Sequence, residues 1–441
     1  MNKSKGSFSF LLILLSLGLL LSQCSGPAEY DPPEIMLLNP QEGSSYSVSD
    51  TIFMDLEITA SAEIVFTKID LINDKDIAVI SNSVSVGGTA LSLYNYPLVI
   101  SRQDLPTGNY RLHIRVENEF QSSNLYRSVL IQEKLLATEG VYLISHNWNN
   151  VTNFELMDSL MIPTPVYSLS GDYGGAVVNS DRGYICSIGE YTGNFVCYHP
   201  ESNTVMWQYQ ALINPPFPYF TSICRSSMVV YVSLYRDFIF GYDDYGVEKI
   251  RTWLTNDKYP YRSMLTENFL LTAEKGRYLD RNYITSYYLA SGVTKDAFET
   301  EYEELFFLLS NDDNVYVAGA KPWGGVDIIL YDVENNHKEP IMEIEGKIVC
   351  VEKCGLNRCL IATKTEVLLY SAPYQIRSVI QKEDVSSITY NYADGTIWLI
   401  SGQEVLKYRD YSYVLEKSNT FEASLDDLVI MYNRDLFLTD Y

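Results

Sequence analysis

The segment GYICSIGEYTGNFVCYHPESNTVMWQY, residues 183–209, contains the pattern that decides the fold. A strand-like run at 183–188 is followed by a turn and a longer strand that begins near Gly193. A polar turn at 199–203 then leads to a last strand, which ends near Tyr209. Short apolar runs broken by Gly, Pro and Asn are typical of antiparallel strands joined by tight turns. The segment therefore predicts β-structure.

The same order of strands and turns recurs between residues 138 and 441. Further copies lie at 229–234 with 237–253, 268–272 with 283–293, 315–318 with 326–344, 360–363 with 367–380, and 396–400 with 405–415. The stretch 140–160 looks like another copy, and 427–438 supplies one more strand pair. Repeats of about 40–45 residues with four strands each predict the blades of a β-propeller. We expect about seven blades, with six or eight as alternatives, and a C-terminal strand pair that completes the blade begun near Gly140.

The copy with Gly193–Tyr198 and Trp207 is similar to the repeat of PQQ-like and WD40/YVTN-type propellers. Most other copies lack a Trp at that place, so the resemblance is to the superfamily. The chain has no distinctive residues for the PQQ cofactor, and we expect no cofactor. A second β-sandwich is the alternative fold for this region, but a sandwich does not explain a recurring period.

Residues 34–133 form a separate pattern of about seven short strands, such as 51–58, 63–69 and 110–116. A unit of this size and strand count is typical of an immunoglobulin-like β-sandwich. The order of Pro33, the first strand and the late segment 105–110 also resembles bacterial Ig-like modules. That resemblance implies a spacer or an adhesive unit, and the spacer is favoured.

The N-terminus reads as an export signal. Lys3 and Lys5 precede an apolar run at 10–21, which is too short for a membrane span of about 20 residues. Leu21-Ser22-Gln23-Cys24 resembles the lipobox of bacterial lipoproteins, although Gln23 departs from its usual small residue. The resemblance implies a signal peptide at 1–23, a lipidated Cys24 and a tether at 24–33. An ordinary secretory peptide or an uncleaved anchor helix are the alternatives.

The composition argues against one class of partner, and the positions of the cysteines suggest two disulfides. A net charge of −24 argues against nucleic-acid binding, which needs a basic surface. Cys186 and Cys197 lie on successive strand patterns, and Cys354 and Cys359 flank a short loop, so both pairs are candidate disulfides. The cysteines have no nearby His in a metal-binding pattern, and no metal is expected.

Aromatic residues in Pro-containing loops are the best candidates for a binding surface. Five of them are predicted to lie on one face of the propeller: Phe217, Tyr219, Tyr259, Tyr261 and Trp323. Rigidly presented aromatic rings suit protein contacts or stacking on sugar rings, but packing between blades would use the same residues. No catalytic motif is recognisable.

The sequence thus predicts a non-catalytic, lipid-anchored outer-membrane or cell-surface protein that binds a protein partner or acts as a scaffold subunit. A glycan-binding lipoprotein is the second hypothesis, and a propeller lyase or hydrolase is the third.

Overall fold

A computed structural model describes residues 31–102, 105–212, 216–226, 228–236, 238–254, 257–311 and 313–436. The chain divides into two compact units, with the boundary between Lys134 and Leu135. All secondary-structure elements assigned within the described ranges are β-strands, which confirms the all-β prediction. In the same ranges, no helix is long and apolar enough to span a membrane.

The first unit contains a three-stranded sheet and a five-stranded sheet. Its strands are β1 (Glu34–Asn39), β2 (Ser44–Ser47), β3 (Thr51–Thr59), β4 (Ile64–Ile72), β5 (Ala78–Val84), β6 (Ala90–Val99), β7 (Gly108–Asn118) and β8 (Ser122–Gln132). The sheet orders are β1-β3-β6 and β2-β8-β7-β4-β5. Within these sheets the pairing is antiparallel except between β2 and β8.

One hydrophobic core joins these two sheets. Alternate residues of β3, from Ile52 to Ile58, and of β7, from Tyr110 to Val116, are buried in it. Successive side chains of a strand point to opposite faces, so this alternation places one face of each sheet on the core. The period-two pattern visible in the sequence is therefore the cause of the packing.

The second unit is built from four-stranded antiparallel sheets. Its strands are β9 (Thr138–Asn147), β10 (Val151–Met157), β11 (Pro163–Ser170), β12 (Gly175–Asn179), β13 (Tyr184–Ile188), β14 (Phe195–His199), β15 (Thr204–Tyr209), β16 (Phe220–Arg225), β17 (Val230–Leu234), β18 (Phe238–Tyr242), β19 (Glu248–Trp253), β20 (Lys258–Leu265), β21 (Phe269–Gly276), β22 (Asn282–Tyr288), β23 (Thr294–Thr300), β24 (Glu304–Asn311), β25 (Asn314–Ala320), β26 (Val326–Asp332), β27 (His337–Ile344), β28 (Ile348–Gly355), β29 (Arg358–Thr363), β30 (Glu366–Ser371), β31 (Gln375–Gln381), β32 (Val385–Asn391), β33 (Thr396–Ser401), β34 (Glu404–Arg409), β35 (Leu415–Thr420) and β36 (Ser424–Tyr432).

Six of these sheets are formed by four consecutive strands each, and we number them one to six from β12–β15 to β32–β35. The closing sheet has the order β36-β9-β10-β11, so it combines the last described strand with the first three strands of the unit. The first strands of neighbouring sheets contact one another in a cycle from β12 through β16, β20, β24, β28, β32 and β36 back to β12. The arrangement is propeller-like.

Burial changes in a regular way across each sheet. The second strands are almost fully buried, as in β33, where all six residues are buried. The fourth strands, such as β15 and β35, are mostly exposed. Apolar residues on both faces of the second strand pack against the sheets on either side, which explains why those strands read as continuous apolar runs in the sequence.

Candidate functional site

An apolar groove opens beside the connection from sheet one to sheet two, with a volume of about 430 Å³. We call it the aromatic groove, and it is lined by Leu212, Phe217, Pro218, Tyr219, Leu234, Tyr235, Arg236, Phe238 and Phe240. None of these lining residues carries a carboxylate. Leu212 and Phe217 are 69% and 41% exposed, so large apolar side chains face solvent here.

The alternation of β18 places the aromatic side chains on one face. Phe238 and Phe240 are two residues apart and share that face, and their ring centroids lie 5.2 Å apart. Phe238 pairs with Trp253 of β19 in the antiparallel register, and their ring centroids are 4.3 Å apart. Because directly paired residues lie on the same face, Trp253, which is 69% exposed, extends the aromatic groove outwards.

Tyr235 joins two of the aromatic residues predicted from the sequence. Its ring stacks on Phe217 at a centroid distance of 5.3 Å, and it lies 4.6 Å from the ring of Tyr259. Offset or tilted ring pairs at these distances are favourable. Tyr235 is buried, and burial raises the pKa of Tyr259. The row Phe217–Tyr235–Tyr259 therefore forms a continuous wall of packed aromatic rings.

Three arginines stand on these rings. The Cζ of Arg236 lies 5.8 Å from the centroid of Phe217, and that of Arg251 lies 5.3 and 5.2 Å from Phe238 and Phe240. Arg277 lies 5.2 Å from the ring of Tyr235 and donates to its backbone carbonyl. A guanidinium that stacks on an aromatic face keeps its N–H groups free to point outwards along its own plane. Three guanidinium groups thus border the groove, and that of Arg251 is paired with the carboxylate of Glu248.

The remaining predicted aromatic residues have different surroundings. Tyr219 packs edge-on to Phe220 at 4.8 Å and lines the aromatic groove. The hydroxyl of Tyr261 accepts a hydrogen bond of 2.8 Å from the N–H of Leu305, and burial raises its pKa to about 12. Trp323 is 71% exposed in the turn between β25 and β26. The structure brings Phe217, Tyr219 and Tyr259 together, whereas Tyr261 and Trp323 lie elsewhere.

A second cavity, of about 370 Å³, is bordered by the first strands of the sheets, and we call it the central cavity. Arg262 lies in its wall, forms a 3.0 Å ion pair with Glu304 and stacks on Phe306 with its Cζ 3.9 Å from the ring centroid. Asp427 also lines it and accepts hydrogen bonds from the hydroxyls of Tyr173 and Ser387, at 2.7 and 2.8 Å.

Burial raises the pKa of Asp427 above that of an ordinary aspartate, although the hydrogen bonds from Tyr173 and Ser387 oppose the shift. Glu352 lies on β28, two residues beyond Cys350, which lines the central cavity. Burial raises the pKa of Glu352 to about 8, against a 3.2 Å hydrogen bond from the N–H of Tyr390. Both carboxyls therefore favour the protonated form more than exposed carboxyls do.

The four candidate disulfide cysteines are thiols in the structure. Cys186 and Cys197 face each other across β13 and β14, and their sulfurs are 2.8 Å apart. The contact with Cys186, together with burial, raises the pKa of Cys197. Cys354 and Cys359 belong to different core clusters. Both disulfides stay predictions, and the first has the more favourable placement. Cys24 lies outside the described residues.

No family model matches the chain, and no curated protein matches it. Among solved structures, it is similar to a functionally unknown protein from Desulfotomaculum acetoxidans, with a TM-score of 0.51, 8% identity, and 67% of this chain and 99% of the other covered. A quinonprotein alcohol dehydrogenase-like protein from Bacteroides thetaiotaomicron has a TM-score of 0.45, 12% identity, and coverage of 92% and 100%. The Cps50 (Swd1) β-propeller domain from Myceliophteria thermophila has a TM-score of 0.45, 11% identity, and coverage of 58% and 89%. At such identities the similarity concerns the fold alone.

Proposed function

We propose that the chain is a lipid-anchored outer-membrane or cell-surface protein whose second unit is a closed seven-bladed β-propeller that binds a protein partner. The first unit is proposed to be an Ig-like β-sandwich that serves as a spacer between Cys24 and the propeller. The seven four-stranded sheets among the described residues of the second unit, and the cycle of contacts between their first strands, support the blade number. The two sheets around one core support the sandwich.

The aromatic groove is the observation that carries the binding function. Exposed apolar clusters bordered by polar residues are typical of interaction sites, and aromatic residues and Arg are the side chains that contribute most to protein interfaces. Phe217 and Trp253 are accessible, while Tyr235 holds the wall in place from behind. A partner would meet rings that are already ordered, so little side-chain entropy would be lost on binding.

Protein binding is favoured over glycan binding by the lining of the groove. Sugar recognition needs polar side chains that pair with hydroxyls beside the stacking ring. Among the described lining residues, the polar side chains are two Tyr hydroxyls and one guanidinium, from Tyr219, Tyr235 and Arg236. Leu, Pro and Phe form the rest, which suits apolar side chains of a polypeptide better than a sugar ring.

The central cavity supports an enzyme as the second candidate function. Two carboxyls with raised pKa, Asp427 and Glu352, and the Arg262–Glu304 pair lie at or beside it. A carboxyl with a pKa of about 8, as in Glu352, stays protonated near neutral pH and can serve as a general acid. Hydrolysis or elimination activity that Asp427→Asn abolishes, with melting unchanged, would support this candidate.

The test of protein binding is a co-purification in mild detergent with the full-length, lipid-anchored protein. Partner proteins should be recovered with the wild type and with Trp323→Ala, an exposed aromatic outside the groove. Phe217→Ala combined with Trp253→Ala should lose them, with melting unchanged, because both rings contribute exposed area to the groove. Cys24→Ser should move the protein from the membrane to the soluble fraction.

Equal recovery of the same proteins by the groove double variant would contradict binding through the groove. A glycan array provides the comparison, since sugar binding that depends on Phe217 would favour the glycan hypothesis instead. Membrane attachment that persists in Cys24→Ser would contradict lipid anchoring through that residue.

A further inference from the structure

The charge around the aromatic groove is opposite to the charge of the chain. The protein has 56 Asp and Glu against 32 Lys and Arg, for a net charge of −24. Among the described residues that line the groove none is acidic, and the guanidinium groups of Arg236, Arg251 and Arg277 lie over its rings, with Arg251 paired to Glu248. Basic residues concentrated at an apolar site of an acidic protein indicate a ligand that carries negative charge.

The three arginines differ in what they can still bind. Arg251 makes two 2.8 Å hydrogen bonds to the carboxylate of Glu248, so part of its fork is occupied. Arg277 donates to the backbone carbonyl of Tyr235 and supports the wall. Arg236 is exposed, lines the groove and forms no ion pair with another described residue. Its guanidinium is therefore the one best placed to receive a carboxylate from a partner.

We propose that the aromatic groove binds a segment of a partner polypeptide in which an aromatic or large aliphatic side chain is flanked by Asp or Glu. The apolar side chain would lie between Phe217 and Phe238, and a flanking carboxylate would pair with Arg236. This inference rests on the proposed protein-binding function and specifies the chemistry of the partner. The arginines would also contribute to specificity. They would repel basic segments, which the acidic remainder of the protein surface attracts.

The test uses three fluorescein-labelled synthetic nonapeptides and the full-length protein in detergent. The first has a central Trp with Glu on both sides, the second has Lys in place of every Glu, and the third has Ala in place of Trp. Fluorescence anisotropy is measured at low and high salt. We expect the Glu/Trp peptide to bind about tenfold or more tightly than the other two, and to weaken as salt increases.

Variants then assign the binding to the groove. Arg236→Glu reverses an exposed charge. It should lower the affinity for the Glu/Trp peptide by about tenfold, and it should raise the affinity for the Lys peptide by removing a repulsion. Phe217→Ala should also lower the affinity for the Glu/Trp peptide. Trp323→Ala is the matched control and should leave both affinities unchanged.

The proposal is overturned if the Lys peptide binds as tightly as the Glu/Trp peptide, or if Arg236→Glu changes neither affinity. It is also overturned if none of the three peptides binds. In each case, co-purified partners that still depend on Phe217 and Trp253 would leave the protein-binding function standing. If recovery of the partners does not depend on Phe217 and Trp253, or if a glycan or a second copy of the chain binds through Phe217 instead, the proposed function fails with it.

Discussion

Glu352 illustrates how the fold changes the chemistry of a single side chain. It lies on a first strand, where the neighbouring strand β32 displaces much of the water that would solvate its carboxylate. Burial costs the charged form more than the protonated form, and the nearby Asp427 adds repulsion. The one backbone N–H that it accepts, from Tyr390, is not enough to offset this.

The raised pKa of Glu352 predicts a pH dependence of stability. The folded protein retains this proton up to about pH 8, whereas an unfolded glutamate with a pKa of 4.5 loses it much earlier. The native state therefore binds more protons between these values, and the free energy of unfolding should fall as the pH rises from about 4.5 to about 8. Glu352→Gln removes this titrating group, so the free energy of unfolding of the variant should fall less over the same pH range than that of the wild type.

Thermal melting from pH 5 to pH 9 checks this prediction. Glu366→Gln is the matched control, because it changes a carboxyl that lies on the third strand of the same sheet. Parallel pH curves for the wild type and Glu352→Gln would show that Glu352 does not carry the proton difference.

The sequence could indicate candidate aromatic residues but not which of them meet. Phe217 and Tyr259 were recognisable from the prolines beside them, although Tyr259 and Tyr261 lie in strand β20 and not in the predicted loop; Phe217 and Tyr259 are joined through Tyr235. Tyr235 directly follows β17 in a stretch without such a signal, and its position depends on how sheets two and three pack. Tyr261 has the same local context as Tyr259, yet its hydroxyl binds the backbone of sheet four. Only the tertiary contacts separate these two roles.

At the scale of the element, the turn of the hairpin between β18 and β19 forms hydrogen bonds both within its own sheet and to sheet one. The carboxylate of Asp243 accepts hydrogen bonds from the N–H groups of Tyr245 and Val247, at 3.0 and 2.9 Å. Gly246 has a φ of 76°, which is the left-handed conformation that glycine adopts readily. The carbonyl of Gly246 accepts a 2.6 Å hydrogen bond from Tyr209 of sheet one.

From the geometry of this hairpin we predict that Gly246→Ala lowers the free energy of unfolding strongly. A Cβ at this position would lie 2.7 Å from the Cγ of Trp207, in addition to the left-handed backbone. We expect a loss of about 1–2 kcal/mol from the backbone and about 1–3 kcal/mol from overpacking. Gly402→Ala is the control, because Gly402 has a φ of 58° but open space around a new Cβ.

Urea unfolding of the two variants measures this difference. The control should lose about 1–2 kcal/mol through the backbone alone. If both substitutions cost the same, the contact between the hairpin and Trp207 is looser than the structure indicates.

Elements were more predictable than contacts. Alternation and turn residues predicted strands at 229–234 and 396–400, and the structure has them at Val230–Leu234 and Thr396–Ser401. Register was not predictable, because several sheets contain bulges, such as the shift between Gly241 and Tyr242 that lies beside the groove. A bulge changes which side chains are opposite each other, and the local sequence does not mark it.

For the second unit as a whole, the seam at the closing sheet contains a buried ion pair. Arg225, at the end of β16, lies 2.7 Å from Asp435, which follows β36. The other oxygen of Asp435 accepts a 2.9 Å hydrogen bond from the N–H of Ser180, just after β12. One carboxylate thus connects the C-terminal segment to sheets one and two.

Removing Asp435 should destabilise the second unit strongly. Asp435→Ala would remove the carboxylate that lies 2.7 Å from the largely buried guanidinium of Arg225, and breaking a buried pair in this way costs about 3–5 kcal/mol. Glu299→Ala breaks the 2.8 Å pair with Arg281, in which both side chains are about half exposed. That control should lose less than about 1 kcal/mol.

Chemical denaturation followed by tyrosine and tryptophan fluorescence compares these two variants. A loss in Asp435→Ala no larger than that in Glu299→Ala would mean that the seam is held by strand pairing and apolar contacts alone.

The pairing of β36 with β9 also has a consequence for biosynthesis. Chains are made from the N-terminus, so β9 leaves the ribosome long before its partner, and one of its edges has no native neighbour until β36 has been made. An unpaired strand edge can pair with another chain, and contacts between distant residues form slowly. Newly made chains should therefore depend on a chaperone that covers this edge until β36 has been made, and chains truncated before β36 should aggregate rather than fold.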